Sequence, residues 1–553
     1  MNYIMDKKRI ALLSNIMIDM VSIKLRAKYE VYTPGGFNAW ISEVLDKSAE
    51  LYRGNHDAVF LILDGTELKS ESPEMVEDKI TLWKSGAEKL VESIRDIPVF
   101  ISTVDFQESK IKTFEERKYD LFWSNNWYEF LWELSRNRKN LYVLDLMGII
   151  SDIGRQNFYS RKMWYMGSMP YSKEGICAVV AEIESAMDAA FIQRKKVLVL
   201  DLDNTLWGGV IGEDGVDGIE LSDHKEGARF YDFQKQILEM KRRGTVLAIA
   251  SKNNESDAEE GFRHPFMLLK KEDFVLAKIN WQDKSVNLKA METELNLTEG
   301  AFVFVDDSAL ERQIMKGQCV DVAVPEFPAD TTSLSDFGEA VYKEYFRQLR
   351  TTDEDLKKTQ MYQGEARRKQ IQSRLDIDEY INALGIRADI HRMCFGERDR
   401  VWQLCNKTNQ FNLTTKRYTM KELEKLAVNA DIFTVETSDR FGDNGLVAVI
   451  ICKRYGSNVE IDSFLMSCRV MGRKLENVII GALMDIYENC EKLIGTYIPT
   501  VKNSPVKDLY ERLGFVVVDE TDGVKQYELK ISNAYPRVKS YSAVSIENRG
   551  IDS

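Results

Sequence analysis

Between Lys196 and Gly209 the chain reads Lys-Val-Leu-Val-Leu-Asp-Leu-Asp-Asn-Thr-Leu-Trp-Gly-Gly. A continuous Val/Leu run reads as a parallel strand buried on both faces. Such a strand requires helices on either side of its sheet, so the region is committed to α/β layers. Asp201 and Asp203 are two positions apart, and in extended backbone they point to one side. They close the strand at its carboxyl end, where open α/β sheets hold their ligands. Two carboxylates aimed at one point repel unless a cation or proton lies between them. The expectation is a Mg²⁺ site that handles phosphate. A lone D-x-D also fits a strand end followed by an Asp/Asn turn, so the rest of the chain decides.

The segments that follow carry matching chemistry. A helix is predicted from Gly227 to Arg243, with Phe230, Phe233, Ile237 and Leu238 at helical spacing. Thr245–Ala250 is the next strand and ends in Ser251-Lys252-Asn253-Asn254. Phe274–Ile279 is a third, and Trp281-Gln-Asp-Lys284-Ser285 opens a helix to about Leu295. Ala301–Val305 is a fourth strand and ends in Asp306-Asp307-Ser308. Paired acids, a Ser, a Lys and paired acids again, each on its own element, fit phosphoryl transfer. One Asp attacks phosphorus while a second acts as acid and base. Ser and Lys hold phosphoryl oxygens, and the later acids complete a metal shell.

This order resembles the haloacid dehalogenase (HAD) superfamily. The resemblance implies Asp201 as nucleophile and metal ligand, and Asp203 as acid/base with its backbone carbonyl on the metal. It implies Asp306 as a further Mg²⁺ ligand, with the role of Asp307 left open. Thr205, Ser251, Lys252, Asn253 and Lys284 would hold phosphate, with Lys278 and Lys289 as alternatives to Lys284. Neither the interval Asp203–Ser251 nor Ser251–Lys284 has room for a sizeable cap. A small-metabolite phosphatase uses such a lid to exclude water. Without one, a neighbouring domain or a macromolecular substrate must cover the site, which favours a protein-bound or long-armed partner.

Within the superfamily the chain is most similar to the FkbH-like branch. The residues that carry this are Leu200–Gly215, Ala250–Asn254, Val305–Ser308 with Glu311-Arg312, Lys407–Thr415 and Ser467–Arg473. The resemblance implies transfer of a glyceryl or related acyl group from an acyl phosphate, such as 1,3-bisphosphoglycerate, to an acyl carrier protein. Its partners would be the carrier's phosphopantetheine arm and a phosphorylated small molecule. Two other functions stay open: a Mg²⁺-dependent phosphatase of a sugar or acid phosphate in glycan or secondary-metabolite synthesis, and a non-catalytic carrier-docking protein.

Residues 1–185 alternate apolar strands (from Arg9, Ala58, Pro98 and Asn140) with helical patterns such as Asp78–Arg95, which predicts a parallel sheet. Ser14-Asn15 after the first strand loosely resembles the nucleophile turn of SGNH-type hydrolases. That family needs Gly-Asp-Ser there and a late Asp-x-x-His, whereas this turn is Leu-Ser-Asn and the region's one histidine is His56. A structural or docking role is expected. The aromatic and Met-rich segment Met163–Tyr171 is expected to pack one domain on the next.

The HAD-like domain is placed at 190–330 and a charged helical linker at 331–384, read as a connecting hairpin. Residues 385–532 alternate strands and helices in an order that looks like the α+β fold of GNAT acyltransferases. Arg469-Val-Met-Gly472-Arg473-Lys474 approximates that family's pyrophosphate loop, so Arg469, Gly472 and Arg473 would bind pantetheine. Lys474 stands where a small residue is usual, which favours a pantetheine arm over coenzyme A. Cys468 beside Arg469 is a candidate acyl carrier, since a neighbouring cation favours thiolate; a small buried residue fits equally well. Residues 533–553 read as an irregular tail. The whole is a multidomain α/β chain.

Of 553 residues, 44% are hydrophobic, enough for several packed cores, and the net charge is −13. That charge argues against general binding to nucleic acid or anionic membrane. No signal peptide or membrane-length apolar run is present, so a cytoplasmic location is expected. Seven scattered cysteines without C-x-x-C, and four histidines none of them paired at helical spacing, indicate neither a disulfide framework nor a zinc or His-rich site.

Overall fold

The structure, a computed structural model, describes residues 7–547 apart from 70, 108–110, 112, 116–121, 352–360, 365–367, 369–370, 372–374, 409, 468–469 and 501. It divides into two compact units, Met1–Arg194 with Tyr342–Arg350, and Lys195–Val341 with Thr351–Ser553.

In the first unit, β1 (Arg9–Ser14), β2 (Glu30–Tyr32), β3 (Ala58–Ile62), β4 (Val99–Ser102) and β5 (Leu141–Leu144) form an all-parallel sheet in the order β2-β1-β3-β4-β5. This is the doubly wound order that needs helices on both faces. Alternate residues of β1 serve opposite cores: Ala11 and Leu13 pack with Trp40 and Trp83, Ile10 and Leu12 with Phe158 and Tyr171. Trp164 and Tyr171 thus belong to this unit's own core, which corrects the assignment of Met163–Tyr171 to domain packing.

The second unit opens with four parallel strands, β6 (Val197–Leu200), β7 (Val246–Ser251), β8 (Phe274–Ile279) and β9 (Phe302–Val305), ordered β8-β7-β6-β9. All of β6, β7 and β9 is buried, which is why those segments read as unbroken apolar runs. Val197, Val199, Val246, Ala248 and Phe304 face Leu288, Met291 and Met315 of the helices Lys284–Leu295 and Ala309–Gln318. With β6 central, its carboxyl end meets the chain leaving β7 and β9.

The remaining strands are β10 (Arg387–Arg392), β11 (Asp431–Asp439), β12 (Gly442–Tyr455), β13 (Asn458–Met466), β14 (Lys492–Tyr497), β15 (Val516–Thr521), β16 (Val524–Lys530) and β17 (Ala543–Glu547). They form one mixed sheet ordered β15-β16-β14-β13-β12-β11-β10-β17. The segment 533–553 is therefore not wholly irregular: β17 runs parallel to β10 from Ala543 to Glu547 and covers its free edge.

The described helices of the span 331–384 pack on different elements. Helix Leu334–Val341 lies on Ala228–Arg242, where Gly338 lets the Phe233 ring approach. Lys343 and Arg347 reach the buried Glu182 in the first unit at 2.6 and 2.8 Å. Helix Ile377–Leu384 puts Tyr380, Ile381 and Leu384 into the core under β10. Charge had masked two short apolar faces, on Leu334–Val341 and Ile377–Leu384. Among the described residues no helix is long and apolar enough to cross a membrane.

Candidate active site

The strand β6 stops at Leu200, and the chain closes on itself at once. Asn204 takes left-handed backbone (φ 53°), and its Oδ1 accepts the Gly209 N–H at 2.9 Å. A short polar side chain tolerates that conformation and bonds locally, as the Asn-Thr turn requires. The loop fixes Asp201 and Asp203 in different surroundings.

Asp201 is buried, and its Oδ2 lies 2.7 Å from Lys284 Nζ. The same ammonium lies 2.6 Å from Asp306 Oδ2 at the end of β9. Asp306 Oδ1 accepts the Ser308 N–H at 2.9 Å. Burial disfavours the Lys284 charge, but the flanking Asp201 and Asp306 outweigh it and its pKa is raised. The Asp306 carboxyl is pushed upward by burial and by the charge on Asp201. Asp201, Asp306 and Asp307 each bring a carboxylate oxygen to within 4.8 Å of the others. Asp201 Oδ1 is buried without a hydrogen-bond partner, as is Thr205 Oγ1. Buried polar atoms are rarely left so, and two beside a carboxylate cluster point to a ligand that would satisfy them. An oxygen-only set of three carboxylates suits a hard divalent cation such as Mg²⁺.

Asp203 is held apart from this cluster. Its Oδ1 accepts from Trp207 Nε1 (2.9 Å) and Ile211 N (3.1 Å), and its Oδ2 from Asn253 Nδ2 (3.0 Å). Burial nonetheless raises its pKa. The expectation that both carboxylates of the D-x-D aim at one point is thus corrected. The extended strand ends before Asp203, and hydrogen bonds hold its carboxylate away from the cluster.

Ser251 is buried at the end of β7 and Lys284 opens its helix, so both sit at strand-end positions beside Asp201. Two residues expected to hold phosphate do other work. Lys252 Nζ pairs with Glu311 (2.9 Å) and Asp283 (3.3 Å). Asn253 spends its amide on Asp203 and its carbonyl oxygen on the Asn254 N–H, 2.9 Å away. Arg312 was not anticipated: its Nη1 donates to the carbonyls of Asp306 (2.9 Å) and Asp307 (2.7 Å) and pins the acid pair. A basic residue one turn into the helix after an Asp-Asp strand end was the available signal.

In the C-terminal sheet β13 and β14 pair in parallel only over Asn458–Ile461 and Lys492–Gly495, then separate. The opening is filled by the chain itself. Phe411 O accepts from Met466 N (3.2 Å), Leu413 O from Ile498 N (2.8 Å), and Asn412 O from Asn503 Nδ2 (2.9 Å). Phe411, Asn412 and Leu413 are fully buried. The edge of β13 that an extended arm would pair with is taken.

Arg473, expected to grip pantetheine, is buried 3.9 Å from Asp439 Oδ2, beside the bidentate Arg368–Asp439 pair. Gly472 has φ +74°, and Lys474 turns to Asp378 at 2.8 Å. Cys468 and Arg469 lie outside the described residues. The six described cysteines form no disulfide with one another.

At the carboxyl end of β1, Ser14 Oγ donates to Ile62 O and Asn15 brackets the Asp64 backbone through Nδ2 and Oδ1. His56 precedes β3, at the opposite end of the parallel sheet, and bonds Glu50 O. No Ser–His pair forms.

No protein-family model and no curated protein sequence matches this chain. Among solved structures it is similar to the N-terminal part of protein BF1531 from Bacteroides fragilis, described as containing a phosphatase domain complexed with Mg. The identity is 23%, the match covers 62% of this chain and 95% of that one, and the TM-score is 0.55. That likeness shows the fold. The chain is a multidomain α/β protein with parallel sheets. The ribosomal-protein-S18-alanine N-acetyltransferase of Escherichia coli (14% identity, 27% of this chain, 96% of that one, TM-score 0.21) also matches. So does the PaiA N-acetyltransferase of Thermoplasma acidophilum (12%, 26%, 98%, 0.22). Scores this low carry no argument, and the C-terminal sheet is described from its own strands.

Proposed function

We propose that the chain is a Mg²⁺-dependent HAD-fold enzyme of FkbH type, which passes a glyceryl or related acyl group from an acyl phosphate to an acyl carrier protein. The observation that carries the reading is Lys284, held between Asp201 and Asp306 beside an unpartnered Asp201 oxygen. Asp201, Asp306 and Asp307 would hold Mg²⁺, which when bound neutralises charge on the phosphoryl oxygens. Lys284, Ser251 and Thr205 line the place where those oxygens would sit. Their positive charge and hydroxyl donors orient the phosphate and stabilise it as it leaves.

The carrier's thiolate attacks the acyl carbon. A C–S bond forms, the C–O bond to phosphate breaks, and the electron pair leaves with phosphate. The thiol is the arm's own or, as a relay, Cys468. Short connections between motif strands support a long-armed substrate, because no cap is available to seal a small one. The filled β13–β14 opening supports delivery of the arm to the carboxylate site and not to the C-terminal sheet.

A second reading has its own support. Asp201 Oδ1 is free to attack phosphorus, and Asp203 has a raised pKa suited to proton transfer, which is the arrangement of a phosphatase of sugar or acid phosphates. One experiment divides the two: the chain with Mg²⁺, 1,3-bisphosphoglycerate and holo carrier protein, followed by the carrier's mass. A glyceryl gain with phosphate release is expected. Phosphate release with no gain assigns the phosphatase. Neither, with carrier binding intact, would overturn both and leave a docking protein.

A further inference from the structure

A second group of metal-ligating side chains lies at the carboxyl end of β10. His391, Cys394 and Glu397 each offer a donor atom, and the three lie within 4.8 Å of one another. The sequence lacks C-x-x-C and any helical His pair, but His391-x-x-Cys394-x-x-Glu397 winds round one turn of 3₁₀ helix (Phe395–Glu397) and so converges. Donors around tetrahedral zinc stand about 3.3–3.8 Å apart, given metal–ligand distances of about 2.0–2.3 Å. The cluster is within a small side-chain adjustment of that geometry.

The surroundings are built as well. Glu397 Oε2 accepts from Cys394 N (2.8 Å) and Thr434 Oγ1 (3.2 Å), which leaves Oε1 directed at His391 Nε2 at 2.8 Å. Thr434 is the residue on β11 directly opposite His391, so the sheet register sets this arrangement. His391 is 2% exposed, and its Nδ1 is buried without a hydrogen-bond partner. Asp389 Oδ2 stands 4.0 Å behind that nitrogen, and Asp389 Oδ1 is itself anchored by Ser545 Oγ of β17 at 2.8 Å. At 4.0 Å Asp389 does not yet bond Nδ1; a ligating histidine ordinarily hydrogen-bonds a carboxylate through its other ring nitrogen, and Asp389 stands where it can take that part.

We propose that His391, Cys394 and Glu397 form a site for a divalent transition metal, Zn²⁺ by donor chemistry. A thiolate, an imidazole and one carboxylate form a borderline-soft set that selects Zn²⁺ or Co²⁺ over Mg²⁺. This separates it from the oxygen-only cluster around Asp201. Binding releases the thiol proton of Cys394 and moves the imidazole proton of His391 from Nε2 to Nδ1, on the side of Asp389. Three protein ligands leave a fourth position for water or a ligand atom. Cys394 and Glu397 are partly exposed, so that position opens to solvent.

The test uses the full reduced chain, freed of metal by a chelator and titrated with Co²⁺. Expected is one equivalent bound with thiolate-to-cobalt charge-transfer absorption, reversed by Zn²⁺. Cys394→Ser should abolish that absorption, Glu397→Gln should weaken Co²⁺ binding at least tenfold, and Asp201→Asn should leave the band unchanged. Circular dichroism checks that each variant is folded. No band in the wild type, a band that survives Cys394→Ser, or unaltered affinity in Glu397→Gln would each overturn the site.

Discussion

The carboxyl end of β6 and the opening between β13 and β14 are both places where a sheet leaves room for a ligand, and the chain treats them oppositely. Beside β6, buried Asp201 Oδ1 and Thr205 Oγ1 are left without partners, next to three converging carboxylates and one ammonium. Between β13 and β14, Phe411–Leu413 is inserted and its carbonyls are bonded from both sides. An unsatisfied buried polar atom costs about 1–3 kcal/mol, so it persists only where something compensates it. A satisfied gap needs no such compensation. The contrast assigns chemistry to the first place and packing to the second.

The largest effect that could break the contrast is at Asp201. Asp201→Asn should lower kcat for Mg²⁺-dependent phosphate release by at least about 10³-fold, as loss of a nucleophile or charge-bearing group does in other enzymes. Steady-state phosphate release measures it, and retained turnover would remove the site assignment.

Next is the filled opening. Leu413→Ala should destabilise the C-terminal sheet by about 2–5 kcal/mol as a buried large-to-small change, seen as faster amide exchange along β13 and β14. Phosphate release per folded molecule should stay as it is. An equal loss of turnover would show that the segment belongs to the reaction.

The third concerns the strand end of β3. Asp64 follows β3, is fully buried, accepts from Tyr159 OH at 3.1 Å, and has its pKa pushed by burial from 3.8 to about 6. The native state therefore holds a proton that the unfolded chain has lost between about pH 4 and 6. Stability should fall as pH rises through that window, by about 3 kcal/mol, and stay lower above it. Exchange protection of β1 and β3 amides reports it, and Asp64→Asn should flatten the slope.

The smallest expected effect sharpens the roles inside the site. Asn253→Ala frees one oxygen of Asp203 and should cost about 10–100-fold in kcat, with Mg²⁺ affinity little changed. A loss of Mg²⁺ affinity instead would place Asn253 among the metal's supports.

Much of this was legible without coordinates, and the reason is local. The runs ending at Leu200, Ser251 and Val305 are buried throughout, so their apolar continuity announced strands, and the polar residue after each announced a strand end. Asp201, Lys284 and Asp306 meet because parallel strands from a central β6 put those ends side by side. Shorter elements were harder. β2 and β17 are edge strands without a full apolar run, and residues 331–384 hid two apolar helix faces under charge.

By itself the sequence determined which chemical groups stand at the ends of which strands, because a two-residue side-chain period and a buried parallel sheet leave little choice. Only the tertiary structure decided what each group faces. Hydrogen bonds from Trp207, Ile211 and Asn253 turned Asp203 out of the carboxylate cluster, and Asp307 took its place. A buried ion pair claimed Arg473, a distant segment closed the β13–β14 opening, and one turn of helix drew His391, Cys394 and Glu397 together. Each outcome depends on partners far apart in the chain or on a turn's winding, and neither the spacing of apolar residues nor a motif records that.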